Sequence, residues 1–398
     1  METRDIWQTL KNDLEKDEVL VLTGPRQVGK TTTVSWLLSQ IPSKNKYYFD
    51  FENIANRNLF DVQNYDVLIQ EFQNLNLDTS QKMYIAIDEI QLLPNLPSVI
   101  KYLYDHYKIK FIITGSSSYY LKNLFSESMS GRKIVHELYP LSFGEFLRFK
   151  GEAFTFPEFS FELTFSDFAY QKLKNLYDEY IEFGGLPKVV LARDASDKKT
   201  LLQMIFSSYI QLDVQALSEF RSVRDFTKLV ELVSSRIGNK VNVSNLAQIL
   251  GVSRQTVDSY LAFMEQTYLI RFVKPFSKST DVSLRIAPKL YFVDTGIANI
   301  NYDLSGGVKY ENTICHQLFL YANQSALGRE LTYFSNEDCE IDFILNKAQA
   351  FEAKETPVET DRSRLSNNTR KLGISQYRLI GKNKPAVYDD FIWGGMIR

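Results

Sequence analysis

Eight residues near the amino terminus have the types and spacing of a phosphate-binding loop. They run from Gly24 to Thr31 and read G-P-R-Q-V-G-K-T, which fits the pattern G-x-x-x-x-G-K-T. The glycines let backbone N–H groups face phosphate oxygens, and the start of the following helix adds its positive dipole end. We expect Lys30 to contact the β- and γ-phosphates of ATP and the Thr31 hydroxyl to hold Mg²⁺. The candidate nucleotide contacts are Gly24, Pro25, Arg26, Gln27, Val28, Gly29, Lys30, Thr31 and Thr32.

Two adjacent carboxylates supply the second part of this chemistry. Asp88 and Glu89 end the apolar stretch that begins at Met83, which suits a buried strand. We expect Asp88 to hold the Mg²⁺ shell, directly or through water, and Glu89 to orient and polarise the attacking water. The loop and the carboxylates together predict Mg²⁺-dependent hydrolysis of ATP, with Lys30 and Glu89 in catalytic roles.

Two further polar residues are candidates for the γ-phosphate. Ser116 follows an apolar strand, 110–114, where a hydroxyl can hydrogen-bond the γ-phosphate or the water; the serines there could equally cap the next helix. Arg132 precedes another strand, where a guanidinium can stabilise the developing phosphoryl charge, in the same subunit or from a neighbour in an oligomer. The alternative for Arg132 is a surface or structural arginine.

The elements that must position these residues alternate between strands and helices. An apolar run, Val19 to Leu22, precedes the loop, a helical stretch follows it, and a strand over Lys46 to Glu52 comes before the Asp88 strand. This layout predicts an α/β fold with a doubly wound parallel sheet, in the AAA+-like class of P-loop NTPases, with nucleotide at the carboxyl ends of the strands. We assign residues 1–150 to this ATPase domain.

The middle of the chain predicts two smaller regions. Residues 151–235 suit a helical connector, in which Gly184-Gly185-Leu186-Pro187 is either a hinge or a helix stop. Residues 236–295 suit a winged helix, with a turn at Gly251, an N-cap at Ser253 and strand-like stretches after the second helix. This region either reads DNA through residues 254–256 or serves only for packing.

Residues 296–398 predict a small α/β domain with acids on neighbouring elements. Glu311 lies on a helix, Asp342 on a strand, and Glu352-Ala353-Lys354 on the next strand. Metal-dependent nucleases of the restriction-enzyme type use such a set, in which carboxylates hold Mg²⁺ and the lysine supports the water or the phosphate charge. The alternatives are an inactive nuclease fold that docks a partner, or ordinary exposed acid–base pairs. Four cations between the strands are candidates for contacts with a phosphate backbone: Arg362, Arg364, Arg370 and Lys371.

Composition limits the remaining classes. The formal net charge is −2, so DNA contacts would need a local patch. Cys315 and Cys339 are too few and too far apart for a disulfide framework or a zinc site. The charged start shows no signal peptide, and no apolar run is long enough to span a membrane, which favours a cytoplasmic location.

The chain resembles a large prokaryotic family that pairs an AAA-like ATPase domain with a C-terminal domain of unknown function having a restriction-endonuclease-like core. The resemblance covers nearly the whole sequence, and its ATPase motifs are the specific ones. It implies an ATP-binding protein with a winged helix in the middle. The segments that carry it are 24–31, 87–91, 114–117, 131–132, 141–143, 183–187, 291–296, 311–312, 340–343 and 352–354.

These observations predict an ATPase whose nucleotide state drives or gates a C-terminal effector half, with DNA as the expected partner. The alternative is a non-nucleolytic, ATP-switched regulator that docks a partner protein through an inactive nuclease-like fold.

Overall fold

The computed structural model describes residues 2–115, 131–214, 222–277, 285–323 and 330–397. The chain divides into two compact units: Met1–Tyr139 with Gln266–Tyr268, and Pro140–Glu265 with Leu269–Arg398. No helix in the described ranges has the length and apolar character needed to cross a membrane.

The first unit is built on a five-stranded, entirely parallel sheet in the order β2-β3-β4-β1-β5. Its strands are β1 (Val19–Thr23), β2 (Lys46–Asp50), β3 (Met83–Asp88), β4 (Ile109–Gly115) and β5 (Lys133–Glu137). Its helices are α1 (Trp7–Asp13), α2 (Lys30–Gln40), α3 (Ile54–Phe60), α4 (Val67–Asn74) and α5 (Leu96–His106), with a 3₁₀ turn at Ile90–Leu92.

Hydrophobic side chains cover both faces of this sheet. Every residue of β1 and β4 is buried, as expected for central strands of a parallel sheet. On one face, Phe60 stacks edge-on against Phe49 with ring centroids 4.9 Å apart. On the other face, Trp7 stacks on Trp36 at 4.3 Å. The doubly wound parallel α/β sheet predicted for this part of the chain is therefore observed.

The second unit contains helices around a larger sheet. Its helices are α6 (Phe143–Phe149), α7 (Asp167–Phe183), α8 (Pro187–Val190), α9 (Ala195–Tyr209), α10 (Val223–Ser234), α11 (Val243–Leu250), α12 (Arg254–Gln266), α13 (Thr295–Asn301), α14 (Gly306–Asn323) and α15 (Glu359–Leu372), with a π turn at Ile210–Val214 and a 3₁₀ turn at Gly394–Met396. Its strands are β6 (Ile270–Pro275), β7 (Lys289–Phe292), β8 (Leu331–Ser335), β9 (Glu340–Leu345), β10 (Gln349–Lys354), β11 (Gln376–Gly381) and β12 (Ile392–Trp393).

The strands expected to form a wing belong to this larger sheet. The seven-stranded sheet has the order β12-β11-β10-β9-β8-β6-β7. The pair β6 and β7 is antiparallel, and β6 also runs parallel to β8. The predicted regions 236–295 and 296–398 thus share one sheet. The edge of β6 that is not paired with β7 forms hydrogen bonds with β8 and does not face solvent.

The helix pair predicted before those strands is present. Gly251 ends α11 in the left-handed region, with φ 70°, a conformation that costs glycine little. The Ser253 hydroxyl accepts a hydrogen bond from the Thr256 N–H at 3.1 Å and so caps α12. Arg254 and Gln255 follow on the exposed side of the first turn. Their use in reading DNA stays a prediction.

A buried carboxylate joins two motifs that are far apart in the sequence. Gly184 ends α7 with φ 75°, a conformation that residues with side chains rarely adopt. The Asp294 carboxylate accepts hydrogen bonds from the N–H groups of Gly185, at 2.8 Å, and Ile297, at 3.1 Å. A Cβ on Gly184 would lie only 2.3 Å from Asp294 Oδ1, so a side chain at this position is excluded.

Candidate nucleotide site and carboxylate cluster

The phosphate-binding loop connects β1 to α2 at the carboxyl edge of the sheet. Gly24 has φ 144°, and a Cβ at this position would lie 2.0 Å from the Leu138 carbonyl oxygen. Gly29 has φ 92° at the N-cap of α2. Only glycine tolerates both the backbone conformation and the close contact at position 24. The Leu138 carbonyl, directly after β5, occupies the space that a side chain would need.

Lys30 is folded over this loop. Its Nζ donates to the carbonyl oxygens of Gly24, at 2.9 Å, and Pro25, at 2.8 Å, and the side chain is buried. These carbonyls replace part of the hydration of a buried ammonium group. The lysine is thereby held at the mouth of the loop, where phosphate oxygens can take over as hydrogen-bond acceptors.

A residue outside the motif also supports the loop. The buried guanidinium of Arg4 donates to the carbonyl oxygens of Val28, at 2.9 Å, and Tyr139, at 2.7 Å. Trp7 Nε1 donates to Thr33 Oγ1 at 3.1 Å, which attaches α1 to the first turns of α2. Sequence reasoning missed Arg4, because its partners are backbone atoms that leave no motif.

The Asp88 carboxylate lies at the centre of a hydrogen-bond cluster. Oδ2 accepts from Thr31 Oγ1 at 2.6 Å and from the Tyr48 hydroxyl at 2.9 Å. Oδ1 accepts from Thr114 Oγ1, and the Asp88 side chain is buried. The Thr31 hydroxyl and the Asp88 carboxylate thus lie together and offer the hard oxygen ligands that Mg²⁺ prefers.

Glu89 adopts a backbone conformation that is unusual for a residue with a side chain. Its φ is 57°, in the left-handed region, and its N–H points to Thr114 Oγ1 at 3.3 Å. Its carboxylate accepts a hydrogen bond from Gln91. Burial raises the pKa of Glu89, while the charge of Lys30 opposes the shift. Such a carboxylate binds a proton more readily than an exposed one, which suits a general base.

The two remaining γ-phosphate candidates have different outcomes. Ser116 lies outside the described residues. Thr114, at the end of the same strand, is the hydroxyl that contacts Asp88. Sequence reasoning missed this threonine, although its place at the carboxyl end of a buried strand next to β3 was a usable signal.

Arg132 lies at the opposite edge of the sheet. Its carbonyl accepts from the Val19 N–H at 2.8 Å, at the start of β1, and its Nε lies 3.3 Å from Asp105 Oδ1. The loop begins only where β1 ends, after five residues, and an extended strand of that length covers about 16 Å. Arg132 is therefore too distant to contact a γ-phosphate bound by its own chain. A role in a neighbouring subunit stays a prediction.

The acids predicted for a nuclease-like site are each held by neighbouring groups of the second unit. Asp342 Oδ2 accepts from the Ala353 N–H at 3.0 Å, across β9 and β10. Glu352 Oε1 lies 2.9 Å from Lys354 Nζ and 3.0 Å from Arg364 Nη2. On α14, Glu311 accepts a 2.7 Å hydrogen bond from the Tyr291 hydroxyl.

These carboxylates act on one another electrostatically. Burial, followed by the charge of Asp342, raises the pKa values of Glu311 and Glu352 to about 7 each. Burial lowers the pKa of Lys354, but the charges of Asp342 and Glu352 outweigh this effect and raise it. Buried carboxylates that lie close together take up protons or bind cations. Here lysine and arginine side chains from other elements pair with them.

The expected cluster of three metal-binding carboxylates is not formed. Across the described ranges, no three His, Cys, Asp or Glu side chains are gathered closely enough to hold a metal ion. Lys289, on β7, lies 2.8 Å from Glu340 and 4.0 Å from Asp342, and Arg364 holds Glu352. Ion pairs therefore occupy carboxylate oxygens that a metal would need.

One carboxylate oxygen in this cluster differs from its neighbours. Glu352 Oε2 is buried and has no hydrogen-bond partner among the described residues. A buried carboxylate oxygen without a partner is costly. A cation or a water bound next to Glu352 Oε2 would give this oxygen the partner that it lacks.

Comparison with known protein families finds a match for most of the first unit. Residues 16–147 match the family model of an AAA domain. This segment is therefore similar to AAA domains. Residues 174–306 match a domain of unknown function, DUF8612. The second match covers the helical middle of the chain, and it does not extend over the predicted nuclease-like strands.

Similar full-length proteins occur in bacteria and archaea. An uncharacterized protein of Haemophilus influenzae is 27% identical over 380 residues, which cover 91% of this chain and 90% of that protein. An uncharacterized protein of Methanocaldococcus jannaschii is 27% identical over 339 residues, covering 83% and 72%. The matched lengths show that both units occur together in these relatives.

Solved structures give a more distant likeness. The Aeropyrum pernix ORC1 protein, solved in complex with DNA, is 11% identical with a TM-score of 0.35, covering 76% of this chain and 92% of that one. The ORC2 protein of the same organism in its ADP form is 12% identical with a TM-score of 0.36, covering 68% and 88%. At these scores the likeness is too low to transfer a function.

Proposed function

We propose that the first unit binds ATP together with Mg²⁺ and hydrolyses it, and that the nucleotide state controls the second unit. The observation that carries this proposal is the 2.6 Å hydrogen bond between Thr31 and Asp88 at the carboxyl edge of the sheet. It joins the phosphate-binding loop to the carboxylate that follows β3, and Glu89 comes next in the chain. In P-loop ATPases these positions hold the metal and the attacking water.

Each residue has a defined role in this proposal. Backbone N–H groups of the loop bind the phosphates, and Lys30 transfers its hydrogen bonds from the Gly24 and Pro25 carbonyls to the β- and γ-phosphates. Thr31 and Asp88 would hold Mg²⁺, which neutralises charge on the phosphates when it is bound. Glu89, with its raised pKa, accepts a proton from the attacking water.

The roles of Lys30 and Glu89 can be tested separately. Lys30→Ala should abolish binding of ATP in calorimetry. Glu89→Gln should retain binding and lower the turnover number by a factor of about 100 or more, since a general base contributes that much. Glu52→Gln, an exposed change in the turn after β2, is the matched control and should hydrolyse ATP at the wild-type rate. Normal turnover by Glu89→Gln would contradict the assigned role.

We propose as a second candidate function that the carboxylate cluster of the second unit cleaves DNA with a divalent metal. The buried, unpartnered Glu352 Oε2 favours this function, because it offers a cation one free ligand beside Asp342. In this proposal a metal ion displaces the pairing cations Lys289 and Arg364 and binds between Asp342 and Glu352. Lys354, 2.9 Å from Glu352, then supports the attacking water or the phosphate charge.

Cleavage is tested with plasmid DNA, ATP and either Mg²⁺ or Mn²⁺. We expect the wild type and Asp338→Ala, an exposed change next to β9, to nick or linearise the plasmid. Asp342→Ala should leave it intact. If wild type and Asp342→Ala both leave the plasmid intact, the cleavage proposal is lost, and the alternative of an ATP-switched regulator that docks a partner protein takes its place.

A further inference from the structure

Tyr48 contacts Asp88, the carboxylate that we propose holds Mg²⁺. Tyr48 itself is not part of the ATPase motifs. It lies on β2, where it is paired in register with Ala86 of β3. Its hydroxyl reaches Asp88 Oδ2, the oxygen that also accepts from Thr31, at 2.9 Å. A residue on the neighbouring strand therefore supplies a second donor to the oxygen that faces the phosphate-binding loop.

The chemistry of this phenol suits a fixed donor. A phenol has an ordinary pKa of about 10, so its O–H group is available as a donor at physiological pH. Its ring packs against the hydrophobic cluster around β1 and α2, which includes Ala86. The hydroxyl is consequently held in place by packing, and its hydrogen bond to Asp88 Oδ2 adds to the restraint that Thr31 and Thr114 place on the carboxylate.

We infer that Tyr48 is a positioning residue for the magnesium site: its hydroxyl, together with that of Thr114, orients the Asp88 carboxylate so that the ion meets a preformed oxygen ligand. This inference rests on the proposed binding of Mg²⁺ by Thr31 and Asp88. Outer partners of metal ligands of this kind change metal affinity or activity by about 10- to 100-fold when they are removed.

The test replaces only the hydroxyl. Tyr48→Phe keeps the ring, and Tyr47→Phe makes the same chemical change on the opposite face of the strand, where Tyr47 packs against Phe49 with centroids 4.6 Å apart. Three quantities are measured for each protein: binding of a fluorescent ATP analogue in EDTA, ATP hydrolysis against Mg²⁺ concentration, and Mn²⁺ binding to the nucleotide complex by electron paramagnetic resonance.

Tyr48→Phe should bind nucleotide in EDTA as the wild type does, since the loop is untouched. Its half-saturating concentrations of Mg²⁺ and Mn²⁺ should rise about tenfold, whereas Tyr47→Phe should show no change. Unchanged or tighter metal binding by Tyr48→Phe, in a protein whose wild type hydrolyses ATP with Mg²⁺, overturns the role of Tyr48. A wild type that neither binds Mn²⁺ with nucleotide nor hydrolyses ATP overturns instead the proposed function beneath it.

Discussion

Asp294 offers a quantitative test of how two distant motifs are joined. Its buried carboxylate accepts hydrogen bonds from Gly185 and Ile297, and burial raises its pKa from the ordinary value of 3.8 to about 6. The folded protein therefore retains a proton, over the interval between these values, that the unfolded chain releases. The contribution of Asp294 to the free energy of unfolding falls as the pH rises through this interval.

The size of the effect follows from the two pKa values. Their difference corresponds to about 3 kcal/mol. Asp294→Asn removes the ionisable group. Its amide NH₂ would face one of the two backbone N–H donors, and the lost hydrogen bond lowers the free energy of unfolding by about 1–3 kcal/mol at any pH. At a pH of about 4 the variant should be less stable than the wild type. Between a pH of about 4 and a pH of about 7 it should gain about 2.4 kcal/mol relative to the wild type.

Urea unfolding at paired pH values measures this difference. Trp393 is fully buried in the second unit, so replacing Trp7 and Trp36 of the first unit by phenylalanine leaves its fluorescence to report on the unit that contains Asp294. The control is Asp303→Asn, the same change at an exposed position, whose effect should not vary with pH. A constant deficit of Asp294→Asn across the pH range would refute the reasoning.

Three further outcomes are expected. Gly24→Ala should lose ATP binding and lower the melting temperature, because the new Cβ would collide with the Leu138 carbonyl; calorimetry and thermal melting measure both. Lys110→Met should lower the free energy of unfolding by about 3 kcal/mol, since the Lys110 ammonium donates to three carbonyls at the end of α1 and before β1. Arg132→Ala should leave ATP hydrolysis of dilute protein unchanged, because Arg132 lies far from the loop of its own chain; a turnover deficit confined to high protein concentration would indicate action in a neighbouring subunit.

The fold of the first unit could be predicted because its signals are local. The phosphate-binding loop and the Asp88-Glu89 pair are short contiguous segments, each directly after an apolar run. Parallel strands place their carboxyl ends at one edge of the sheet, so the segments had to meet. The 2.6 Å contact between Thr31 and Asp88 is the result.

Arg132 shows the limit of the same reasoning. Its position before a strand of the ATPase domain suggested a role at the phosphate. The register of β5 against β1 places it at the amino edge instead. Strand direction determines which end of a strand reaches the site, and a single arginine before a strand does not reveal on which edge it will lie.

The acids of the second unit were predicted in part. Alternation along β9 and β10 brings Asp342 next to Glu352, and Lys354 follows on the same face. The ion pairs with the cluster were not predicted: Lys289, on β7, is far from those strands in sequence, and Arg364 was expected to contact a phosphate backbone. The sharing of one sheet by β6, β7 and β8 depends equally on pairings between distant segments.

The sequence by itself determined the ATPase motifs and the parallel sheet that unites them, since these depend on residue type and on the order of adjacent elements. Only the tertiary structure decided which groups support the site. Arg4, Tyr48 and Thr114 reach the loop or Asp88 from other elements. Their hydrogen bonds join atoms that are distant along the chain, and the directions of those bonds exist only after the strands and helices have packed.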